Sequence, residues 1–143
     1  MGKPVIQGDT IKVPSDPEFL SDVDVFIEGT LRGFGTDESV VADIAISVSE
    51  LVNNAIVHGN RSVIDKTVRV SITRKNDTVT IKISDQGEGF DPSSVPDPLA
   101  DANLLQEVGR GLFIVRSLMD KVDVQHSPTG TTIAITKTIQ AKT

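Results

Sequence analysis

Two runs of alternating apolar and polar residues, TVRVSITR at 67–74 and TVTIKISD at 78–85, most strongly limit the folds open to this chain. Successive side chains of a strand point to opposite faces of a sheet, so each run has one apolar and one polar face. The letters KND between the runs form a short polar turn, which predicts an antiparallel β-hairpin. The apolar face of such a hairpin needs a second layer to cover it.

Three segments carry helical patterns. A first helix is predicted to begin with Asp16 as a cap and Pro17 at the first helical position. A second helix is predicted from Thr36 to Gly59, and a third over residues 110–122. The apolar positions of the third helix share one face: Leu112, Val115, Leu118, Met119 and Val122.

Further strand patterns flank these elements, an edge strand or hairpin at 5–14 and a closing strand at 131–138. Runs of helix followed by runs of antiparallel strand predict an α+β fold of two layers, with the helices on one face of the sheet. A chain of 143 residues is long enough for one domain with a real core, so we expect a single domain over 1–143.

The composition excludes several classes of protein. The chain has no cysteine, which excludes disulfides and thiolate catalysis and fits a reducing compartment. The net charge is −6 and the basic residues are scattered, so no nucleic-acid partner is expected. No stretch has the pattern of a signal peptide or approaches a membrane span, so we expect a cytoplasmic protein with no membrane partner.

The second hairpin run ends on a carboxylate. By the alternation, Asp85 falls on the same apolar face as Ile81 and Ile83, and Gly87 and Gly89 follow it. A carboxylate directed toward the core side, next to bare backbone, is typical of the wall of a small-molecule pocket. The same letters also fit a solvated strand end with a glycine-rich turn.

The second helix carries a line of polar residues. Ser47, Glu50, Asn54 and His58 recur at spacings of three, four and four, which places them along one side of a mostly apolar helix. A carboxylate in partly apolar surroundings is costly unless it is paired. The line therefore indicates either a functional site or a solvated helix face.

A pair of glycines opens the third helix. Gly109 and Gly111, with Arg110 between them, lie where orphan N–H groups and the helix dipole favour an anion such as phosphate. A dinucleotide-binding fingerprint is excluded because Ile114 stands where a third glycine is needed. The chain also lacks the Gly-Lys-Ser/Thr of a P-loop.

Taken together, these features resemble the N, G1 and G2 boxes of the GHKL ATPases. The boxes occur in the family's order: Glu50-x-x-x-Asn54, Asp85-x-Gly87-x-Gly89 and Gly109-x-Gly111. The resemblance is greatest to the small anti-sigma factor serine kinases, and it covers nearly the whole chain. It implies the Bergerat ATP-binding fold, a mixed, mostly antiparallel sheet with helices on one face and ATP between them.

The resemblance implies roles at the phosphate end of the nucleotide. Glu50 is expected to orient or deprotonate the attacking group, and Asn54 is expected to hold Mg²⁺. Gly109 and Gly111 would offer backbone N–H groups to the phosphates, and Arg110 is placed with them among the nucleotide-binding residues.

At the base end, the resemblance implies that Asp85 accepts a hydrogen bond from the adenine amino group. Gly87 and Gly89 would let the chain pass close to the base and ribose, and Thr131 would help to bind the base. Residues 91–108 would form the lid over the nucleotide.

The function that the resemblance implies is that of an anti-sigma factor and serine-protein kinase. Such a protein sequesters a sigma factor and transfers the γ-phosphate of ATP to a Ser or Thr of a small anti-anti-sigma partner, usually as a homodimer. Two alternatives stay open from the sequence: a nucleotide-dependent binding module without kinase activity, and a plain ATPase. A histidine kinase is not expected, because neither His58 nor His126 lies upstream on a helix pair.

Overall fold

The computed structural model describes residues 2–87 and 110–139. In these residues a six-stranded sheet has the order β1-β2-β3-β4-β6-β5, and every described strand pair is antiparallel. The strands are β1 (Val5–Gln7), β2 (Thr10–Pro14), β3 (Thr67–Lys75), β4 (Thr78–Ser84), β5 (Lys121–Ser127) and β6 (Gly130–Thr138). The helices are α1 (Leu20–Gly33), α2 (Glu38–Asn54) and α3, described over residues 110–118.

The predicted hairpin is β3 and β4. Ile72 pairs with Ile81 and Val70 with Ile83, and the turn places Asn76 at a φ of 55°. These four apolar side chains are at most 2% exposed, and each contributes about 1.5–3 kcal/mol relative to an exposed position. Helices α1 and α2 cover them through Ile27, Leu31, Ile44, Val48 and Leu51.

Helix α1 begins as its sequence predicts. The Asp16 side chain accepts a hydrogen bond from the Glu18 N–H at 3.0 Å, and Pro17 occupies the first position of a 3₁₀ turn that leads into α1. The helix ends at Gly33, and Gly35 then adopts a φ of 76°, which favours glycine.

Helix α2 begins two residues later than predicted. The carbonyl of Asp37 accepts the first helical bond, from the Val41 N–H at 3.0 Å, so Asp37 is the cap. The Thr36 N–H instead bonds to the carbonyl of Leu31, which fixes Thr36 in the turn between the helices. At its far end, α2 continues as a π-helical turn over Ala55–Gly59.

By length and composition alone, the segment Glu38–Gly59 could cross a membrane, so the expectation that no segment approaches a span is wrong by that measure. Its apolar residues have a different partner in the fold. Ile44, Val48, Leu51 and Val52 are at most 1% exposed and lie in the core against the sheet.

The third helix is shorter than predicted, and strand β5 was missed. Helix α3 ends at residue 118, and Val122 lies on β5 rather than on the helix. The Lys137 side chain donates to the Leu118 carbonyl and approaches Asp43 of α2 at 3.7 Å, which fixes the end of α3 against α2. The spacing of Val122 from its apolar neighbours is compatible with a helix and with a strand, so the prediction from the sequence placed the end of the helix too late.

Candidate functional site

One pocket lies between the end of α2, the start of α3 and the edge of the sheet formed by β4, β6 and β5. It encloses about 640 Å³ of space between protein atoms, a figure that includes a part open to solvent. Its lining residues are Leu51, Asn54, Ala55, His58, Gly59, Ile83, Asp85, Leu112, Val124, His126, Thr131 and Ile133. Most of the walls are apolar, with a few polar groups at defined places.

Asp85 follows β4 and has its carboxylate fixed by backbone groups. Its Oδ1 accepts hydrogen bonds from the N–H groups of Gly87 and Thr131, both at 3.0 Å. Its own N–H donates to the Thr131 carbonyl at 2.9 Å. No residue in the described part of the chain donates to Oδ2, which lies next to Gly59 in the pocket wall. One carboxylate oxygen is therefore structural, and the other can accept a hydrogen bond from a ligand.

Three glycines surround this carboxylate because the chain segments approach too closely for side chains. A Cβ on Gly59 would overlap the Asp85 carboxylate, and one on Gly87 would overlap the Gly59 carbonyl. A Cβ on Gly130 would overlap the carbonyl of Asp85. Gly87 was predicted from the sequence as a residue that lets the backbone pass close to a ligand. In the structure its backbone also lies close to the Gly59 carbonyl. Gly59 was predicted only as the end of the second helix, because glycine is common at helix ends, and its contact with Asp85 was not predicted.

Asn60, the residue that follows the π-turn, holds the loop behind the pocket. It is 1% exposed, and its Nδ2 donates to Ser15 Oγ at 2.9 Å and to the Thr67 carbonyl at 3.0 Å. Its Oδ1 accepts from the Gln86 N–H at 2.7 Å, directly beside Asp85. All these polar atoms are satisfied, so Asn60 ties the π-turn to the residue after β2, to β3 and to the residue after Asp85.

Glu50 and Asn54 face the start of α3, and Asn54 also lines the pocket. A Cβ on Gly111 would lie 2.9 Å from Asn54 Nδ2 and 3.2 Å from Glu50 Oε2, so both side-chain ends lie close to the α3 backbone. Ser47, from the same predicted polar line, is fully buried and donates to the Asp43 carbonyl at 2.9 Å. The line therefore divides into a structural serine and three half-buried residues, Glu50, Asn54 and His58, of which Asn54 and His58 line the pocket.

The chemistry of this end fits a magnesium ion held mainly by a nucleotide. Within residues 2–87 and 110–139, no group of three His, Cys, Asp or Glu residues could hold a metal. Mg²⁺ usually binds through one or two protein oxygens together with phosphate oxygens and waters. Asn54, whose amide group lies beside the start of α3, could bind the ion in that mode through its side-chain oxygen.

The remaining predicted site residues are placed as follows. Arg110 is exposed at the described start of α3. Gly89, Gly109 and the predicted lid at 91–108 lie outside the described residues.

Strand β5 contributes two wall residues that the sequence analysis missed. Val124 lies opposite Ile133, and His126 lies opposite Thr131, in the pairing of β5 with β6. The His126 Nδ1 is 3.1 Å from Thr131 Oγ1. The alternation of Val122, Val124 and His126 is the signal that could have identified this strand.

The fold and the site together define a nucleotide-binding domain, and comparison with known proteins identifies the family. Residues 13–137 match the family described as histidine kinase-like ATPase domain. The chain belongs to this family, as the sequence resemblance predicted, and membership implies ATP binding.

Among characterised proteins, the chain is similar to serine-protein kinases named RsbW. It is 33% identical to the Staphylococcus aureus RsbW over 139 residues, which covers 91% of this chain and 86% of that protein. It is 31% identical to the Bacillus velezensis RsbW over 133 residues, or 89% and 82% of the two chains.

Solved structures support the same fold. The RsbU and RsbW domains of a Mycobacterium tuberculosis protein match with a TM-score of 0.69 and 22% identity, covering 96% of this chain and 33% of that one. The histidine kinase domain of a blue-light-activated kinase from Erythrobacter litoralis matches with a TM-score of 0.58 and 20% identity, covering 88% and 61%. The predicted α+β architecture is confirmed, with antiparallel pairing throughout its described strands.

Proposed function

We propose that this protein is an ATP-dependent serine/threonine protein kinase that also acts as an anti-sigma factor. One observation carries the proposal. Glu50 and Asn54, one turn apart on α2, meet the start of α3, and Asn54 lines the same pocket as the fixed Asp85 carboxylate. The similarity to serine-protein kinases over most of both chains supports the same assignment.

The base end of the pocket suits adenine. Asp85 Oδ2 is an acceptor in an otherwise apolar wall, so it can bind the exocyclic amino group while Ile83 and Leu112 contact the ring. A hydrogen bond to a charged group contributes about 1.5–3 kcal/mol. A guanine would place a carbonyl oxygen against this carboxylate, so the site favours adenine nucleotides.

The phosphate end supplies the groups for transfer. Asn54 would hold Mg²⁺, whose charge would offset that of the phosphates. Gly109 and Gly111 would offer backbone N–H groups to the phosphates at the mouth of α3, with Arg110 beside them. Glu50 would accept the proton of the partner's Ser or Thr hydroxyl, or orient that hydroxyl for attack.

The experiment compares the parent with Glu50→Gln, using labelled ATP and candidate anti-anti-sigma proteins. The amide keeps the size of Glu50 but loses its basicity, so transfer should fall by about 10²–10⁴-fold while ATP affinity stays. Glu38→Gln is the matched control on the same helix, where Glu38 forms an exposed pair with Arg32 at 2.9 Å. Three turns of helix separate it from Glu50, so its transfer rate should equal the parent's.

The outcomes separate the kinase from its alternatives. Phosphate release without partner labelling would indicate a plain ATPase, and nucleotide-sensitive partner binding with neither activity would indicate a binding module. Equal labelling by the parent and Glu50→Gln would contradict the role of Glu50.

The resemblance also supports finer proposals about the protein's setting. It would act in the cytoplasm as a homodimer of single-domain chains spanning 1–143 and would sequester a sigma factor. Light scattering of the parent alone and with candidate sigma factors would measure both assemblies, and a monomer that binds none of them would contradict this part.

A further inference from the structure

His126 contacts the one group of Thr131 that is not already used in the structure. The Thr131 N–H donates to Asp85 Oδ1 at 3.0 Å, and its carbonyl accepts from the Asp85 N–H at 2.9 Å. The hydroxyl is therefore the Thr131 group that can still donate a hydrogen bond to a ligand in the pocket. Its described partner is His126 Nδ1, at 3.1 Å across the β5–β6 pair.

A hydroxyl has a single proton, so this contact fixes what Thr131 presents to the pocket. If Nδ1 carries a lone pair, the Thr131 hydroxyl donates to it and presents only acceptor lone pairs to a ligand. If Nδ1 carries a proton, the imidazole donates to Oγ1 and leaves the hydroxyl proton for the ligand. The histidine therefore determines whether Thr131 acts as donor or acceptor.

The adenine ring requires one of these two states. Its exocyclic amino group is a donor and suits Asp85 Oδ2, and the neighbouring ring nitrogen N1 is an acceptor and needs a donor. We infer that His126 is a positioning residue that donates from Nδ1 to Thr131 and so directs the Thr131 hydroxyl proton toward N1 of adenine. This inference rests on the proposed function, because it assigns the base end of the pocket to adenine.

The position of His126 argues against a purely structural role. It is exposed on β5, the outer strand of the sheet, and it lines the pocket without belonging to the buried core. Substitutions there should leave the fold intact, so changes in nucleotide recognition can be measured on folded protein.

His126→Asn and His126→Asp form a matched pair for the test. The two side chains have the same shape, but the asparagine amide offers a donor near the position of Nδ1, whereas the aspartate offers only acceptors. The readout is the ratio of the dissociation constants of 1-deaza-ATP, which lacks N1, and ATP, measured by calorimetry at one pH. A neutral hydrogen bond predicts a ratio of about two to ten for the parent and for His126→Asn. The ratio should fall to about one in His126→Asp, because the hydroxyl then donates to the carboxylate.

Thr131→Val separates the hydroxyl from the charge that aspartate adds. Without the hydroxyl, the ratio should be about one whether residue 126 is His, Asn or Asp. A double-mutant cycle on the ATP dissociation constants should then show coupling between the two positions. An effect of His126→Asp that persists fully in Thr131→Val is a charge effect and would overturn the inference.

The failures of the two proposals are distinguishable. A parent that binds no ATP contradicts the proposed function. A parent that prefers ATP to 1-deaza-ATP, with a ratio unchanged in His126→Asp, contradicts the positioning role and leaves the proposed function in place. Circular dichroism confirms that each variant is folded, and if His126→Asp is not, His126→Phe removes the donor without adding charge and should lower the ratio.

Discussion

The substitution Gly111→Ala tests whether the contact between α2 and α3 forms the catalytic end of the pocket. The added methyl group would lie 2.9 Å from Asn54 Nδ2 and 3.2 Å from Glu50 Oε2. Favourable contacts between such atoms lie at about 3.5–4.0 Å, so Asn54 Nδ2 must move by roughly 0.6 Å or more and Glu50 Oε2 by roughly 0.3 Å or more. The side chains that must move are the two that are proposed to hold the metal and to act on the attacking hydroxyl.

Stability should change little. Replacing a helical glycine by alanine stabilises a helix by up to about 1 kcal/mol, because alanine loses less backbone entropy. Moving two side chains away from their preferred rotamers costs about 0.5–1.5 kcal/mol each, and both contacts involve flexible ends rather than backbone. The free energy of unfolding should therefore stay within about 1–2 kcal/mol of the parent's, while a misplacement of about 1 Å can reduce catalysis 10²-fold.

The assay pairs urea unfolding with the rate of labelled phosphate transfer to a partner protein. Gly29→Ala is the control, since Gly29 lies within α1 and a Cβ there would meet nothing within 4 Å. That variant should gain about 0.5–1 kcal/mol of stability and transfer phosphate at the parent rate. Parent-like transfer by Gly111→Ala, with a gain in stability equal to that of Gly29→Ala, would refute the reasoning.

Three further predictions concern single carboxylate and amide groups. Asp85→Asn should weaken ATP binding more than tenfold: the amide oxygen can replace Oδ1, but the amide N–H₂ then takes the place of Oδ2 and a donor faces the adenine amino group. An unchanged ATP affinity in calorimetry would contradict this. Asn54→Ala should bind ATP with little dependence on added Mg²⁺, and a parent-like dependence would exclude Asn54 as the ligand. Burial, followed by the charge of Glu28, raises the pKa of the Asp24 carboxyl. The folded state therefore holds that proton more tightly than the unfolded state does. As a result, the parent loses stability as the pH rises from the unfolded pKa through the folded pKa. Asp24→Asn should therefore be more stable than the parent at pH 7, by less than about 1 kcal/mol, and the difference should disappear below about pH 4. Urea unfolding at both pH values tests this, with the exposed Asp65→Asn as the control whose stability should not change. A difference in stability that is the same at both pH values contradicts the prediction.

The hairpin could be predicted from the sequence because its signals are local. The alternation of Val70 and Ile72 with polar residues, repeated across a polar turn, allows one register that buries both apolar faces. A shift by one residue would expose Ile81 and Ile83, so the pairing follows from the letters alone.

Strand β5 could not be predicted as readily, because it is an edge strand with little burial. Its inward residues, Val122 and Val124, are only half-buried, and the next inward residue is the polar His126. The end of α3 depends on Lys137, which is distant in sequence and reaches the Leu118 carbonyl from β6. A pattern read along the chain cannot contain that contact.

The site residues were predicted by resemblance, whereas their spacing in three dimensions was not predictable from the letters. Asn54, Asp85 and Thr131 do line one pocket, although their roles stay predictions. The close approach of Gly59 to Gly87 arises where the π-turn after α2 meets the residues after β4. An i to i+5 turn changes which side chains share a helix face, and nothing in the local sequence specifies it.

The two ends of the pocket should contribute differently to nucleotide sensing. At the base end, two backbone N–H groups hold Asp85 Oδ1, and Asn60 fixes the adjoining loop through satisfied buried hydrogen bonds. In the proposed binding mode these fixed groups contact the base and none of them contacts a terminal phosphate, so ATP and ADP should bind to this end equally well. Under the proposed function, discrimination between the two nucleotides must therefore arise where Glu50, Asn54 and Gly111 meet. A partner complex that responds to the third phosphate must therefore depend on the relative position of α2 and α3. For this reason the methyl group of Gly111→Ala should change phosphate transfer more than it changes the free energy of unfolding.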